Sequence, residues 1–222
     1  MVVLLVAGWF VVEEVFRHSL QRQIADQATV TLAEAGAQPQ NVNVTLGLLT
    51  PWGLIRQQVG RADAQADVTW ADFGRFHVTG RAEGVQLHDD QSLDLTALRV
   101  QFALPATNFA TLFRAVLSQQ QLFQDVSLED LAVVANPAAG TATVTAGSWA
   151  GVELRPQVTD GQLSFRPVSL TLLGVAVDLT TTDFTVPVDL AGQLPEGLTI
   201  EDCSVQGDDI VVTLAGGPMT VR

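Results

Sequence analysis

The one histidine of this sequence with adjacent carboxylates lies in HDDQSLD, in which His88 is followed by Asp89, Asp90 and Asp94. A histidine among carboxylates is a donor set that could hold a cation weakly, but a polar turn between two strands accounts for the same residues and is the reading adopted. His18 and His77 stand apart from any such cluster. Ser148 lies in AGSWAG, where the glycines have the wrong offsets for a nucleophile elbow. Neither a G-x-G-x-x-G turn nor a phosphate loop occurs. The paired acids Glu201-Asp202 and Asp208-Asp209 flank a hairpin signal and are expected to face solvent. Cys203 is the only cysteine, which excludes an intrachain disulfide and a zinc site built of cysteines. The chain therefore reads as non-catalytic, with no cofactor and no metal; a hydrolase with an unrecognised site is the weak rival.

What the chain has in excess is apolar surface and acidity together. Its 222 residues carry 11 basic against 24 acidic side chains, a formal net charge of −13, and every basic residue is arginine. A nucleic-acid partner is excluded on that balance, because such a protein needs a basic stripe to displace counterions from phosphate. Hydrophobic residues make up 47% and charged residues 16%, against about 25% charged in an average soluble domain. The length suits one large domain or two small ones, and no low-complexity linker divides it.

The elements that would use this apolar surface begin at the amino end. Met1–Val12 is an unbroken apolar run, MVVLLVAGWFVV. Twelve helical residues span about 18 Å, short of a bilayer core of about 30 Å, so 1–12 reads as part of an anchor or signal. Trp9 and Phe10 would sit at the interface; a buried helix of a soluble protein is the alternative. Val12, Val15, Phe16, Leu20, Ile24, Ala28, Thr31 and Leu32 continue at helical spacing, which predicts one long helix to about Ala35, stopped by Gly36 and Pro39. From Asn41 onward the period becomes two. Strands are expected at Asn41–Leu48, Ala64–Trp70, Arg75–Thr79, Leu93–Leu104, from Ala132, and at Thr141–Thr145, Val152–Leu154, Gln162–Phe165 and Ser169–Leu179. Gly60, Gly80, Gly84, Asn136-Pro137, Gly140 and Gly174 read as breaks, and Asp160-Gly161 and Gly207-Asp208 as hairpin turns. After Pro105, with Thr107 or Asn108 as cap, Phe109, Leu112, Phe113, Val116 and Leu117 form a helical stripe. A second short helix is possible at Pro51–Gln58. The expected fold is α+β: a long amino-terminal helix wrapped by a strongly curved antiparallel sheet, with a second short helix, in a single domain over 13–222.

The aromatics Trp52, Trp70, Phe73, Phe76, Phe102, Phe109, Phe113 and Trp149 run through the middle of the chain. They fit either an ordinary core or the wall of an apolar cavity that takes an acyl chain, and periodicity alone leaves both open.

The strand-and-turn series VNVTLGLLTPWGLIRQQVGRADAQADV and the closing LPEGLTIEDCSVQGDDIVVTLAGGPMTV resemble the actinobacterial LmeA-type phospholipid-binding family. Val42–Leu49, Pro51–Ile55, Gly60 and Ala62–Val68 match its first strand, apolar turn, glycine and second strand. Leu194, Pro195, Gly197 and Leu198 match its carboxy-terminal L-P-x-G-L turn, followed by Val205, Gly207 and Val211. Where members carry a glycine and aromatic turn, this chain reads Gly47-Leu48-Leu49-Thr50-Pro51-Trp52. The resemblance implies a tubular lipid-binding fold and non-catalytic transport or sensing of phospholipid or a similar acyl lipid in the cell envelope. The protein would be extracytoplasmic, and either held at the membrane by the amino-terminal apolar helix or secreted. The apolar groove would be formed by Leu48, Leu49, Trp52, Leu54, Ile55, Phe102, Phe109, Leu112, Phe113, Val116 and Leu117, with Arg56 and Arg61 at the headgroup. A structural envelope protein that binds a protein partner through its β domain is the alternative. Oligomeric state is not legible.

Overall fold

The computed structural model describes residues 37–47, 58–70, 74–88, 92–110, 130–182, 184–188 and 197–221, together with positions 21–22, 24–26, 29–30, 33 and 194. In chain order the strands are β1 (Ala37–Leu46), β2 (Gln58–Trp70), β3 (Gly74–Leu87), β4 (Leu93–Leu95), β5 (Ala97–Pro105), β6 (Leu131–Asn136) and β7 (Thr141–Ala146). They continue with β8 (Ala150–Thr159), β9 (Gln162–Leu172), β10 (Val175–Asp178), β11 (Val186–Val188), β12 (Leu198–Gln206), β13 (Asp209–Gly216) and β14 (Met219–Val221).

The expected α+β fold around a long helix is overturned. Strand accounts for 72% of the described residues, and helix is confined among them to two short stretches, with no long helix. The described helical positions fall within 21–33 and at 106–110, and residues 1–20 lie outside the described residues. The physical reason lies in the sequence downstream: period-two alternation continues for most of the chain, and the antiparallel ladders it forms supply one another's backbone partners without a central helix to wrap.

The contacts divide the chain into two compact units, one of residues 1–69, 77–100 and 215–222, the other of 70–76 and 101–214. In the first unit β1 lies beside β2 and β2 beside β3. β4 pairs with β3 through Leu87 and Leu93, and with β14 through Met219 and Leu95. Val44, Leu46, Val59, Ala62, Val85, Leu93 and Leu95 form its core, and Ile24, Ala25 and Met219 pack on it. Pro39 does not stop an element here but sits inside β1. That strand ends the sheet order, where a residue without an N–H is tolerated.

In the second unit β6, β7, β8, β9 and β10 form a continuous antiparallel meander, with β11 on the other side of part of β9. β13 lies beside β12, and β12 packs against β8 and β9. Phe165, Leu163 and Leu154 of the meander are buried, as are Ile200, Cys203 and Val205 of β12 and Ile210 and Leu214 of β13. The Asp160-Gly161 hairpin forms as expected, with φ of 53° and 73°, the two positive values that a two-residue turn matching the strand twist demands.

Other boundaries differ. Gly60 lies inside β2, and Gly80 and Gly84 inside β3. The expected strand Leu93–Leu104 is split at Thr96, and Ser169–Leu179 is split by a turn at Leu173-Gly174. Thr180–Thr182 is a turn, not part of a strand: the Thr180 N–H donates to Asp178 Oδ1 at 2.8 Å and the Thr182 N–H to the Leu179 carbonyl at 3.0 Å. The helix expected at Pro51–Gln58 falls outside the described residues up to position 57, and Gln58 begins β2.

Candidate functional site

Of the residues expected to line an apolar groove, Phe102 and Phe109 are described, and both belong to the second unit. Phe109 is carried by the short helix over 106–110. The entry to that helix is tied down twice: the Ala106 N–H donates to the Asp208 carbonyl at 3.0 Å, and Asn108 Nδ2 donates to the Arg75 carbonyl at 3.0 Å. Asn108 therefore docks the helix on β3, whereas its sequence position suggested a cap. Phe109 is buried and forms a T-shaped pair with Phe165, centroids 6.0 Å apart at 74°. This is a favourable geometry for two ring quadrupoles. Phe102, half-buried on β5, faces Phe76 on β3 with centroids 6.2 Å apart. Leu48, Leu49, Trp52, Leu54, Ile55, Leu112, Phe113, Val116, Leu117 and Arg56 lie outside the described residues.

Arg61 is described, exposed, and engaged. Its Nε donates to Asp63 Oδ2 at 2.6 Å and one terminal nitrogen to Asp63 Oδ1 at 2.9 Å; Arg81 Nε donates to the same Oδ1 at 2.9 Å. Arg61 and Asp63 are two apart on β2, so the pleat puts them on one face. Hydrogen bonding from Arg61, then from Arg81, holds the Asp63 carboxyl below its ordinary range, and the same Asp63 bond raises the Arg61 guanidinium. An anion at Arg61 has to compete with this carboxylate.

In the HDDQSLD segment His88 and Ser92–Asp94 are described and tied by hydrogen bonds, and Asp89 and Asp90 lie outside the described residues. The His88 N–H donates to the Ser92 carbonyl at 3.0 Å, and His88 Nε2 meets Asp94 Oδ2 at 2.7 Å. Thr220 donates to the other Asp94 oxygen at 2.6 Å. His77 meets Asp67 at 3.1 Å, and Asn41 donates to the second oxygen of that carboxylate. Among the described residues no group of three histidine, cysteine or acidic side chains is placed to hold a metal ion. Glu201, Asp202 and Asp208 are exposed, as their positions implied, and Asp209 is half-buried. One polar group escaped the sequence reading: Glu153 accepts from Thr141 at 2.6 Å and Ser169 at 3.2 Å, a cross-strand set across β7, β8 and β9 that alternation alone does not reveal.

A model of the LmeA-like phospholipid-binding family matches residues 19–215. The chain belongs to that family. No curated protein and no solved structure matches it. The match takes in all the apolar and arginine positions named above, and membership supports binding as the activity. Among the described residues of this family member, no helix is long and apolar enough to cross a membrane. The apolar run Met1–Val12 lies outside them.

The single thiol belongs to the packing of this family member. Cys203 is buried on β12, and burial first, then the charge of Asp202, pushes its pKa from 9.0 up to about 12. A thiol held neutral is a poor nucleophile. Cys203 is expected to resist an aromatic disulfide reagent at mildly alkaline pH and to react within seconds once urea unfolds the chain. The sign for stability follows from the protons. Between 9.0 and about 12 the unfolded chain releases a proton that the folded chain keeps, so stability falls as pH rises through that window. The slope is about 1.4 kcal/mol per pH unit. Urea melts of Cys203→Ala should show a flatter alkaline limb.

Proposed function

We propose that the chain binds a phospholipid or similar acyl lipid for transport or sensing outside the cytoplasm in the bacterial envelope, without catalysis. The observation that carries this reading is the match to a phospholipid-binding family over residues 19–215. Acyl chains would be held by burial, at about 0.8 kcal/mol per methylene. The proposed apolar contacts are Leu48, Leu49, Trp52, Leu54 and Ile55 in the first unit and Phe102, Phe109, Leu112, Phe113, Val116 and Leu117 in the second. Arg56 and Arg61 are the proposed contacts of the phosphate, with Arg61 released from Asp63 as the anion takes its fork. The net charge of −13 gives no general attraction to an anionic membrane, so we assign tethering to the apolar run of residues 1–12, ahead of a lipid-binding chain over 13–222.

Organic extraction of the purified protein followed by mass spectrometry is expected to recover phospholipid, and a fluorescent acyl probe is expected to bind saturably. Absence of both sinks the proposal in favour of a structural envelope protein. Arg56→Glu and Arg61→Glu should weaken phospholipid but leave fatty acid binding intact; equal losses for the two ligands remove the headgroup role.

A further inference from the structure

The meander of the second unit ends in two hairpin tips that carry exposed apolar side chains side by side. At one end of the sheet β7 turns into β8 through residues 147–149, and β9 turns into β10 through Leu173-Gly174. The tips are neighbours: Ala150 stands opposite Leu172, and the Leu173 N–H donates to the Trp149 carbonyl at 2.7 Å. Large apolar side chains are exposed there together, Leu173 at 82%, Val175 at 65%, Trp149 at 48% and Leu172 at 42%. Both hairpins are free of charge over long stretches, 142–152 and 167–177, in a chain of net charge −13. The nearest charges along these strands are Glu153, Arg166 and Asp178. Just before the flanking strand β6 it is Asp130, whose backbone carbonyl accepts from the Gly147 N–H at 3.3 Å.

The same sheet carries its own control. At its opposite end the β8–β9 turn is Asp160-Gly161, with φ of 53° and 73°; at this end the β9–β10 turn is Leu173-Gly174, with φ of 50° and 80°. The geometry is the same, and the first position favours asparagine, aspartate or glycine because an ordinary side chain there is strained. The chain uses aspartate at one end and at the other an exposed leucine, which neither relieves the turn nor fills a core. A local rule broken without a packing gain is the mark of a functional position.

We propose that the tips bearing Trp149, Leu172, Leu173 and Val175 insert into the interface of a membrane whose lipids are zwitterionic. Tryptophan beside aliphatic side chains is the composition that settles at the boundary of headgroups and acyl chains. Two backbone N–H groups at the tips already have partners, Leu173 on the Trp149 carbonyl and Gly147 on the Asp130 carbonyl, which lowers the cost of taking these turns out of water. The two hairpins themselves carry no charge near the tips, which suits an uncharged surface, while Asp130 beside Gly147 and the acidic remainder of the chain disfavour an anionic one. A protein of a phospholipid-binding family also has to meet its ligand where phospholipid resides, which favours a bilayer over a protein partner.

The test uses the full chain and two variants. Leu173→Asn gives the turn the residue it prefers, so the fold is retained; Trp149→Phe removes one fluorophore. With vesicles of dibrominated phosphatidylcholine, the emission difference between the full chain and Trp149→Phe isolates Trp149, and it is expected to be quenched. Leu173→Asn should lower the vesicle partition coefficient about tenfold, the scale of losing one buried leucine. An unquenched Trp149 overturns the proposal even where another segment carries the chain to the vesicle. Unchanged partition in Leu173→Asn also overturns it, and a change of oligomeric state in its place assigns the tips to a second copy of the chain. Failure to co-purify lipid bears on the bound-ligand reading alone.

Discussion

Phe165→Ala is expected to lower the unfolding free energy by about 3–5 kcal/mol, the range for emptying an aromatic site in a core that collapses only partly. Phe165 is fully buried on β9. Its backbone stands between Pro156 of β8 and Val186 of β11. Its ring meets that of Phe109 in a T-shaped pair, so one deletion removes contacts to two neighbouring strands and to the short helix together. A stable domain has only about 5–15 kcal/mol to lose. Urea denaturation followed by circular dichroism measures the loss, and a change below about 1 kcal/mol would show that the pocket closes around the vacancy. Phe109→Leu separates packing from binding. It keeps most of the volume and gives up an aromatic pair contributing about 0.5–1.5 kcal/mol. A large fall in acyl-probe binding with near-native stability would place Phe109 at the ligand, and unchanged binding would leave it to the core.

The strands were the most legible part of the chain because alternation is a direct image of the pleat. In β9, Leu163, Phe165 and Pro167 fall on one face with Ser164 and Arg166 between them, and the first three are the buried ones. Asp160-Gly161 announced its turn by residue type. At Leu173-Gly174 the glycine alone signals a break; leucine is no turn former, so the alternation of Ser169–Leu179 reads as one strand across the turn that the structure places there. The helical spacing of Ile24 and its neighbours was real enough to place Ile24 on the first unit's core. Periodicity alone names the apolar face and not where tertiary structure ends the helix; the described helical positions fall within 21–33. At the proposed site, Phe109 was visible from its stripe, but its partner Phe165 is remote in sequence and no local pattern pairs them. The Arg61–Asp63 pair was local, two residues apart on one strand face, and its meaning depended on Arg81 arriving from β3.

Gly84→Ala is expected to destabilise the first unit by about 2–5 kcal/mol, through two separable causes. Gly84 has φ of +59°, where a side chain costs about 1–2 kcal/mol in strain. A methyl group at this position would also overlap the Thr96 hydroxyl and come within 2.6 Å of its Cγ2 and 3.0 Å of its Cβ. Overpacking of that kind costs about 1–3 kcal/mol. The glycine is needed because Thr96 is latched over it: its N–H and its hydroxyl both donate to the Glu83 carbonyl at 2.9 Å, fixing the joint between β4 and β5. What reads in sequence as a strand break is thus the point where β3 lets that joint approach. The two causes part in a double-mutant cycle. Thr96→Ala alone should cost about 1 kcal/mol for its hydroxyl bond. If overlap is the larger cause, Gly84→Ala combined with Thr96→Ala should be less destabilised than the sum by about 1–2 kcal/mol, leaving the backbone strain. Strict additivity would mean that Thr96 moves aside freely and that φ alone selects glycine at position 84.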